Sequence, residues 1–354
     1  MRIGVVNDLS MAVVAIRRVL ATAPEHQVAW VAGDGAQAVS MCAVDKPDLI
    51  LMDLIMPVLD GVEATRQIMA NTPCAILVVT ATVDGNSPKV FEALGAGALD
   101  AVNTPVLGLN ASPYANVLLA KIDMLGKLMS GVRRTKKPAS PPVEPKTGPV
   151  QLEPAAVQGD FLLAIGASAG GPMALSKVLG SLPVDFPAAV IIIQHVDPQF
   201  AQGLAEWLQH HSVLPVRLAR EGDQPRMGTV LVAGTGDHLV FVNSRSLGYT
   251  SRPTDEVYRP SVDVFFESVV KHWRGKTIGV LLTGMGRDGA RGLKMLRNAG
   301  CHTIAQDRAT SVVYGMPKAA VALAAAVEIL PLEEIGPALK NIYIPPSLRK
   351  AGLN

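Results

Sequence analysis

Over about the first 124 residues, short apolar runs alternate with stretches whose apolar residues recur every three or four positions. The runs predict strands at 3–6, 28–31, 49–52, 76–80 and 99–102, and the periodic stretches predict helices at 11–21, 35–44, 61–69 and 90–94. Alternation of this kind is typical of a parallel sheet with helices on both faces. We therefore predict an α/β first domain over residues 1–125.

The same alternation resumes after residue 159 and predicts a second α/β domain over 159–347, doubly wound and mostly parallel. Strands are predicted at 161–165, 189–193, 216–218, 230–233, 239–242, 278–282 and 303–305, and helices at 174–180, 200–209, 262–273, 289–298 and 318–325. Residues 218–249 are expected to form an antiparallel insertion. A helical run predicted at 114–129 ends the first domain, and residues 126–158, which are rich in proline, predict a semi-extended linker between the domains.

Composition narrows the classes of function. The formal net charge is +2, from 32 basic and 30 acidic residues, and this near balance does not indicate binding to nucleic acid. No apolar run approaches the ~20 residues of a membrane span, so no direct membrane insertion is expected. The three cysteines share no metal-ligand spacing, and the first predicted strand follows Met1 without a signal peptide. We expect a cytoplasmic protein with reduced thiols.

Polar residues follow several predicted strands of the first domain. Asn7 and Asp8 follow the first strand, Asp53 follows the third, and Thr80 ends the fourth. Because ligands of parallel sheets bind beyond the carboxyl ends of the strands, these side chains are expected to meet at one edge. Converging carboxylates repel unless a cation lies between them, and oxygen ligands suit Mg²⁺.

The first domain resembles the receiver domain of bacterial response regulators, a flavodoxin-like fold with a five-stranded parallel sheet. The resemblance is carried by the segment LILMDLIMPVLDG and covers roughly the first 120 residues. It implies that Asp53 accepts a phosphoryl group and that Mg²⁺ is bound by Asp8, Asp53 and the carbonyl of Ile55. Thr80 would bond the phosphoryl group as part of the switch.

Three positions depart from the receiver pattern. Asn7 replaces the first member of an acidic pair, Thr104 replaces a lysine before Pro105, and Ala101 replaces the switch aromatic. Thr104 can donate a hydrogen bond at the switch but brings no charge to neutralise a phosphoryl group. Phosphorylation of Asp53 is still expected, whereas its kinetics and its readout are open.

In the second domain, three residues suited to nucleophilic catalysis each follow an apolar run. Ser168 lies in a small-residue turn between a strand and a helix, His195 follows the next strand, and Asp288 lies in a glycine-rich loop. A histidine can take the proton of a serine hydroxyl, and a carboxylate can orient the histidine. The turn is equally suited to binding a phosphate, and His238 is the chief rival to His195 as the base.

Four segments make the resemblance of this domain specific: GASAGGP, IIIQHV, LLTGMGRDG and AQDRATSVVYGMPKAA. In this order after a receiver, they resemble the chemotaxis protein-glutamate methylesterase family, CheB. The resemblance implies that Ser168 is the nucleophile, His195 the base and Asp288 the orienting carboxylate. It also implies an oxyanion hole made by the amides of Met285 and Ala169, where Ala169 replaces the usual threonine.

The resemblance implies a phosphorylation-regulated hydrolase that demethylates glutamate methyl esters of a methylated chemoreceptor and deamidates receptor glutamines. It implies phosphorylation by a histidine kinase of the CheA type, and an unphosphorylated receiver that covers the catalytic cleft. The Asn7-Asp8 opening and the missing lysine are similar to the branch found in Wsp-type surface-sensing systems. The alternatives are a non-catalytic adaptor that acts as a phosphate sink and a nucleotide-binding enzyme, although GASAGG fits neither nucleotide motif.

Overall fold

The computed structural model describes residues 1–80, 87–105, 113–133, 161–256 and 258–343. Its first domain alternates strands and helices, as the hydrophobic pattern predicts. The elements are β1 (Arg2–Val6), α1 (Ser10–Ala21), β2 (Gln27–Ala32), α2 (Gly35–Val44), β3 (Leu49–Met52), α3 (Gly61–Asn71), β4 (Ala75–Thr80), α4 (Ser87–Gly95), β5 (Asp100–Asn103) and α5 (Pro113–Arg133).

The five strands of this domain form one parallel sheet in the order β2-β1-β3-β4-β5. This is the flavodoxin-like order, in which the chain reverses its direction of winding next to β1 and leaves a crevice at the carboxyl ends of β1 and β3. The apolar runs form these strands because both faces of the sheet are covered; β3 is fully buried along its length. The predicted five-stranded parallel sheet is confirmed.

Helix α5 runs from Pro113 to Arg133, four residues beyond the predicted helical run at 114–129 and into the first residues of the predicted linker, and the domain bounds themselves stay a prediction. In the first part of α5, Leu118, Ile122 and Leu125 recur at helical spacing and are buried, which favours the helix. The rest of the predicted linker and residues 344–347 of the second domain lie outside the described residues.

The second domain is also built from alternating strands and helices. Its elements are β6 (Phe161–Ala167), α6 (Gly171–Gly180), β7 (Ala189–Gln194), α7 (Pro198–His210), β8 (Val216–Leu218), β9 (Val230–Val232), β10 (His238–Phe241), β11 (Leu247–Thr250), α8 (Val262–His272), β12 (Lys276–Leu281), α9 (Ala290–Asn298), β13 (His302–Gln306), α10 (Met316–Ala322), β14 (Glu328–Leu330) and α11 (Leu332–Tyr343).

Seven of these strands form a parallel sheet in the order β14-β13-β12-β6-β7-β9-β8. The predicted antiparallel insertion is only partly correct, because β9 joins the parallel sheet and only β10 and β11 pair antiparallel. The sequence pattern did not predict β11, β14 or α11. β14 is an edge strand whose residues are half-buried or exposed, so it lacks the apolar run that marks the central strands.

The two domains pack against each other through α4, which contacts α6 and α7. The ring of Phe91 on α4 lies 5.9 Å from that of Trp207 on α7, and both side chains are buried. At the end of α4, a Cβ on Gly95 would lie 3.3 Å from the sulfur of Met173 on α6.

None of the helices in the described ranges combines the length and the apolar character needed to cross a bilayer.

Candidate active site

Ser168 lies in a tight turn between a fully covered strand and a helix. Strand β6 ends at Ala167, and α6 begins at Gly171 after Gly170 takes a left-handed conformation with φ +74°. Such a conformation favours glycine. The Ser168 amide donates to the Thr283 carbonyl at 3.1 Å, which ties the turn to the end of β12. The predicted strand–turn–helix setting of Ser168 is therefore present.

Gln194 links the backbones of the serine and the histidine. It ends β7, and its Nε2 donates to the carbonyls of Ser168 at 2.9 Å and His195 at 3.0 Å. Both carbonyls lie within hydrogen-bond reach of one nitrogen, so the two residues are neighbours. A Cβ on Gly171 would lie 2.0 Å from Gln194 Oε1, so this arrangement requires glycine at 171. The sequence analysis did not predict a role for Gln194, although a polar residue at the end of the apolar run AVIIIQ could have indicated one.

His195 pairs with Asp288 through one edge of its ring. Nε2 lies 2.8 Å from Oδ2 of Asp288, and both side chains are buried. Nδ1 is buried and has no hydrogen-bond partner among the described residues, so the bond to the Ser168 hydroxyl is not formed here. An imidazole that donates from Nε2 keeps a lone pair on Nδ1. The free nitrogen is therefore the one that can accept a proton.

Asp288 is held by the start of α8. Its carboxylate accepts hydrogen bonds from the Ser261 hydroxyl at 2.8 Å and from the amides of Val262 at 2.7 Å and Asp263 at 3.0 Å. Burial alone would raise the pKa of Asp288, but the His195 hydrogen bond and charge, with these amides, hold the pKa below its usual value. Asp288 is thus an ionised carboxylate facing a histidine.

His238 does not compete as the base. Its ring is fully buried, Nδ1 accepts from the Ser261 amide at 3.0 Å, and Nε2 meets the Pro253 carbonyl at 3.0 Å. Both nitrogens are occupied, so neither is available to a serine hydroxyl. His238 instead holds the backbone of Ser261, which in turn donates to Asp288.

The loop after β12 brings backbone amides to Ser168. A Cβ on Gly284 would lie 2.8 Å from the Ser168 Cβ, so the loop passes directly against the serine. The amides of Met285 and Ala169 donate to no residue in the described parts of the chain. The Ser168 carbonyl shares a peptide with the Ala169 amide and accepts from Gln194 Nε2 at 2.9 Å, which fixes that peptide. Both amides are thus available to stabilise an oxyanion.

The receiver covers this site. Ala169, which follows the serine, belongs with Met285 and Val313 to one buried apolar cluster that includes the receiver side chains Val102 and Leu118. Ser168 itself is only 6% exposed. A protein substrate cannot reach the serine unless the domains separate or shift.

Asp53 lies at the carboxyl end of β3 and is also buried. Its carboxylate accepts from the Leu54 amide at 2.7 Å and from Nδ2 of Asn7 at 2.8 Å. Burial first, and then the charge of Asp8, raises the pKa of Asp53 to about 6, while bonds from the Leu54 and Ile55 amides act in the opposite direction. The negative charge of Asp53 is thus only partly stabilised by the hydrogen bonds that its carboxylate accepts.

A divalent cation would compensate that charge. The predicted ligands, the carboxylates of Asp8 and Asp53 and the carbonyl of Ile55, are all oxygens, which suits Mg²⁺, and the charge of Asp8 acts on Asp53, so the residues present fit this ion. Thr80 and Thr104 lie at the ends of neighbouring strands, where the Thr104 amide donates to the Thr80 carbonyl at 3.0 Å. The Thr104 hydroxyl is buried and has no hydrogen-bond partner in the part of the chain that the structure describes, so a donor is available at the position where receivers have lysine.

Comparison with known proteins identifies both domains of the chain. A family model described as CheB methylesterase matches residues 163–339, and one described as response regulator receiver domain matches residues 3–107. A Burkholderia thailandensis protein named protein-glutamate methylesterase/protein-glutamine glutaminase 4 is 58% identical over 343 residues, 97% of each chain. This chain belongs to the CheB methylesterase family. A Pseudomonas aeruginosa relative, protein-glutamate methylesterase/protein-glutamine glutaminase 3, is 55% identical over 97% of this chain and 100% of its own.

Among solved structures, the catalytic domain of Thermotoga maritima CheB methylesterase is 34% identical, with a TM-score of 0.49 over 52% of this chain and 100% of its own. The family assignment, the receiver and the mostly parallel α/β catalytic domain that the sequence predicted are confirmed. The roles of Ser168, His195, Asp288 and Asp53 in the chemistry stay predictions.

Proposed function

We propose that this chain hydrolyses glutamate γ-methyl esters on a methylated chemoreceptor and deamidates receptor glutamines at the same site. The observation that carries the proposal is the buried His195–Asp288 pair beside Ser168, with Gln194 tying the serine and the histidine together. The full-length similarity to proteins named for both activities supports it.

In the ester reaction, the Ser168 hydroxyl attacks the ester carbonyl while Nδ1 of His195 takes its proton. Asp288 stabilises the imidazolium through Nε2, and the amides of Ala169 and Met285 hold the oxyanion. The tetrahedral intermediate expels methanol, which takes the proton from His195, and leaves an acyl-enzyme. Water, deprotonated by His195, hydrolyses the acyl-enzyme to glutamate. An amide substrate follows the same course and releases ammonia.

Regulation follows from the covered site. We propose that a histidine kinase of the CheA type phosphorylates Asp53 and that phosphorylation weakens the packing of the receiver on α6 and α7. Mg²⁺ held by Asp8, Asp53 and the Ile55 carbonyl would supply positive charge beside the acceptor. We propose the cytoplasm as the compartment, in keeping with the free thiols of Cys42, Cys74 and Cys301. The resemblance to the Wsp-type branch stays a prediction.

The proposal is tested by following methanol from a methylated receptor and ammonia from its glutamine form, with and without acetyl phosphate and Mg²⁺. We expect both products, and faster release with the phosphodonor in wild type but not in Asp53→Asn. Release that ignores the donor would contradict regulation through Asp53. Absence of both products with every cognate receptor, together with phosphorylation of Asp53, would instead support the phosphate-sink alternative.

A further inference from the structure

The aromatic ring of Tyr258 lies flat on the imidazole of His195. The two ring centroids are 4.2 Å apart and the planes differ by 6°. Tyr258 belongs to the short segment between β11 and α8, three positions before Ser261, whose hydroxyl donates to Asp288. One segment therefore supplies both a contact to the face of the histidine and a hydrogen bond to its carboxylate partner.

The hydrogen bond from His195 to Asp288 fixes only one edge of the imidazole. The distribution of the χ2 torsion of histidine is broad, so an imidazole that is held only through Nε2 can still tilt about its hydrogen bond to Asp288. Nδ1 gives no second anchor, because it is buried and no residue in the described ranges hydrogen-bonds to it. A parallel ring on the face of the imidazole removes the tilt, and aromatic pairs of this kind contribute about 0.5–1.5 kcal/mol.

Tyr258 also meets the loop that carries Met285. A Cβ on Gly286 would lie 3.2 Å from the Tyr258 hydroxyl oxygen, and Gly286 has a φ of +77°, so glycine is favoured there on both counts. Tyr258 is half-buried, and its burial, followed by the charges of Asp288 and of Asp100 in the receiver, raises the pKa of the phenol. The phenol is therefore neutral and lies where the cleft faces the receiver.

We propose that Tyr258 is a positioning residue for the general base. Its ring holds the His195 imidazole in the orientation in which Nε2 meets Asp288 and Nδ1 is left for the Ser168 proton. The proposal rests on the esterase function proposed above and adds a residue that none of the four recognition segments contains.

The first test compares Tyr258→Leu with Tyr258→Phe in the full-length protein. Leucine fills part of the space but cannot stack, whereas phenylalanine keeps the ring. We expect the leucine variant to lose about tenfold in kcat with KM within about twofold, because the tilt affects the reacting group and not substrate binding. Phenylalanine should restore most of kcat. A leucine variant with kcat within twofold of wild type, or a phenylalanine variant as impaired as leucine, overturns the proposal.

The second test does not depend on activity. Histidine-labelled protein is examined by ¹H–¹³C NMR, and the His195 signal is assigned by its loss in His195→Gln. A stacked phenol shifts the imidazole protons upfield, so we expect an upfield His195 signal in wild type and Tyr258→Phe, and its loss in Tyr258→Leu. A wild-type spectrum without that shift overturns the proposal even if the leucine variant fails to fold. If wild type releases no methanol, the proposed function fails, and the spectrum still decides whether the phenol holds the imidazole.

Discussion

Replacing Asp288 by asparagine tests the proposed role of the carboxylate with almost no change in shape. Both carboxylate oxygens accept a backbone amide, Oδ2 from Val262 and Oδ1 from Asp263. An asparagine side chain has one oxygen and one NH₂ group. In either orientation, one of these backbone amides therefore faces another donor and loses its acceptor, which costs about 1–3 kcal/mol of stability.

The effect on the reaction is expected to be larger than the effect on stability. Asp288 and His195 form a pair whose side chains are 6% and 8% exposed, so water screens their interaction poorly. When His195 becomes an imidazolium, a carboxylate at about 4 Å between charge centres stabilises it by about 4 kcal/mol at an effective dielectric constant of about 20. Losing that charge corresponds to roughly a thousandfold in rate.

The assay is steady-state methanol release from a methylated receptor, with urea unfolding measured in parallel. Asp263→Asn is the matched control, because Asp263 is a buried carboxyl at the start of α8 whose side chain accepts from the Gly292 amide at 2.6 Å. We expect kcat to fall about a thousandfold in Asp288→Asn and to stay near wild type in Asp263→Asn. A kcat within tenfold of wild type in Asp288→Asn would refute the reasoning.

Three further predictions concern other parts of the molecule. Burial raises the pKa of Asp53 in the folded protein to about 6 from an ordinary 3.8, so folding favours its protonated form. The free energy of unfolding of wild type should therefore rise by about 3 kcal/mol from this group as the pH falls through that window. Urea unfolding at pH 7 and pH 4 measures the rise, and Asp53→Asn should abolish it. Trp207→Ala removes the ring that packs on Phe91, which should raise methanol release without phosphodonor roughly two- to tenfold. Gly171→Ala should displace Gln194 and lower kcat several-fold, because the new Cβ overlaps Oε1.

Each of these predictions has its own control. For Asp53, the difference between wild type and variant isolates one group, and equal pH dependence in both would contradict the raised pKa. Trp207→Phe keeps an aromatic ring and should keep basal release low; a rise as large as that of alanine would point away from ring packing. For Gly171, Gly33→Ala controls for a general glycine effect, since Gly33 has no positive φ and the atom nearest to its added Cβ lies 3.8 Å away, and an equal loss of kcat would contradict a local cause.

The hydrophobic pattern predicted the strands that lie inside the two sheets, because buried parallel strands are continuous apolar runs such as LILM in β3. It missed β14, where pairing at the edge of the sheet leaves residues exposed. It predicted the last helix of the first domain to residue 129, and α5 runs four residues further, where glycine and basic residues resemble the linker that follows. Strands whose side chains are buried were predictable from the sequence, whereas an edge strand that is held by backbone pairing was not.

At the candidate site, Ser168, His195 and Asp288 were predictable because each follows a strand of a parallel sheet, and such ends share one edge. Which imidazole nitrogen meets Asp288 was not predictable, since it depends on where α8 holds the carboxylate. Tyr258 was missed because its ring reaches His195 only through the tertiary fold. Its segment carries no strand-end signal.

The central claim is that Ser168 is the nucleophile of an esterase, and one substitution tests it most directly. Methanol release from a methylated receptor is compared between wild type, Ser168→Ala and Ser176→Ala, the last a buried serine on α6 whose hydroxyl donates to the Met173 carbonyl at 2.9 Å. We predict that Ser168→Ala loses at least roughly 10⁴-fold in kcat while Ser176→Ala stays active. Release by Ser168→Ala within tenfold of wild type would contradict the account.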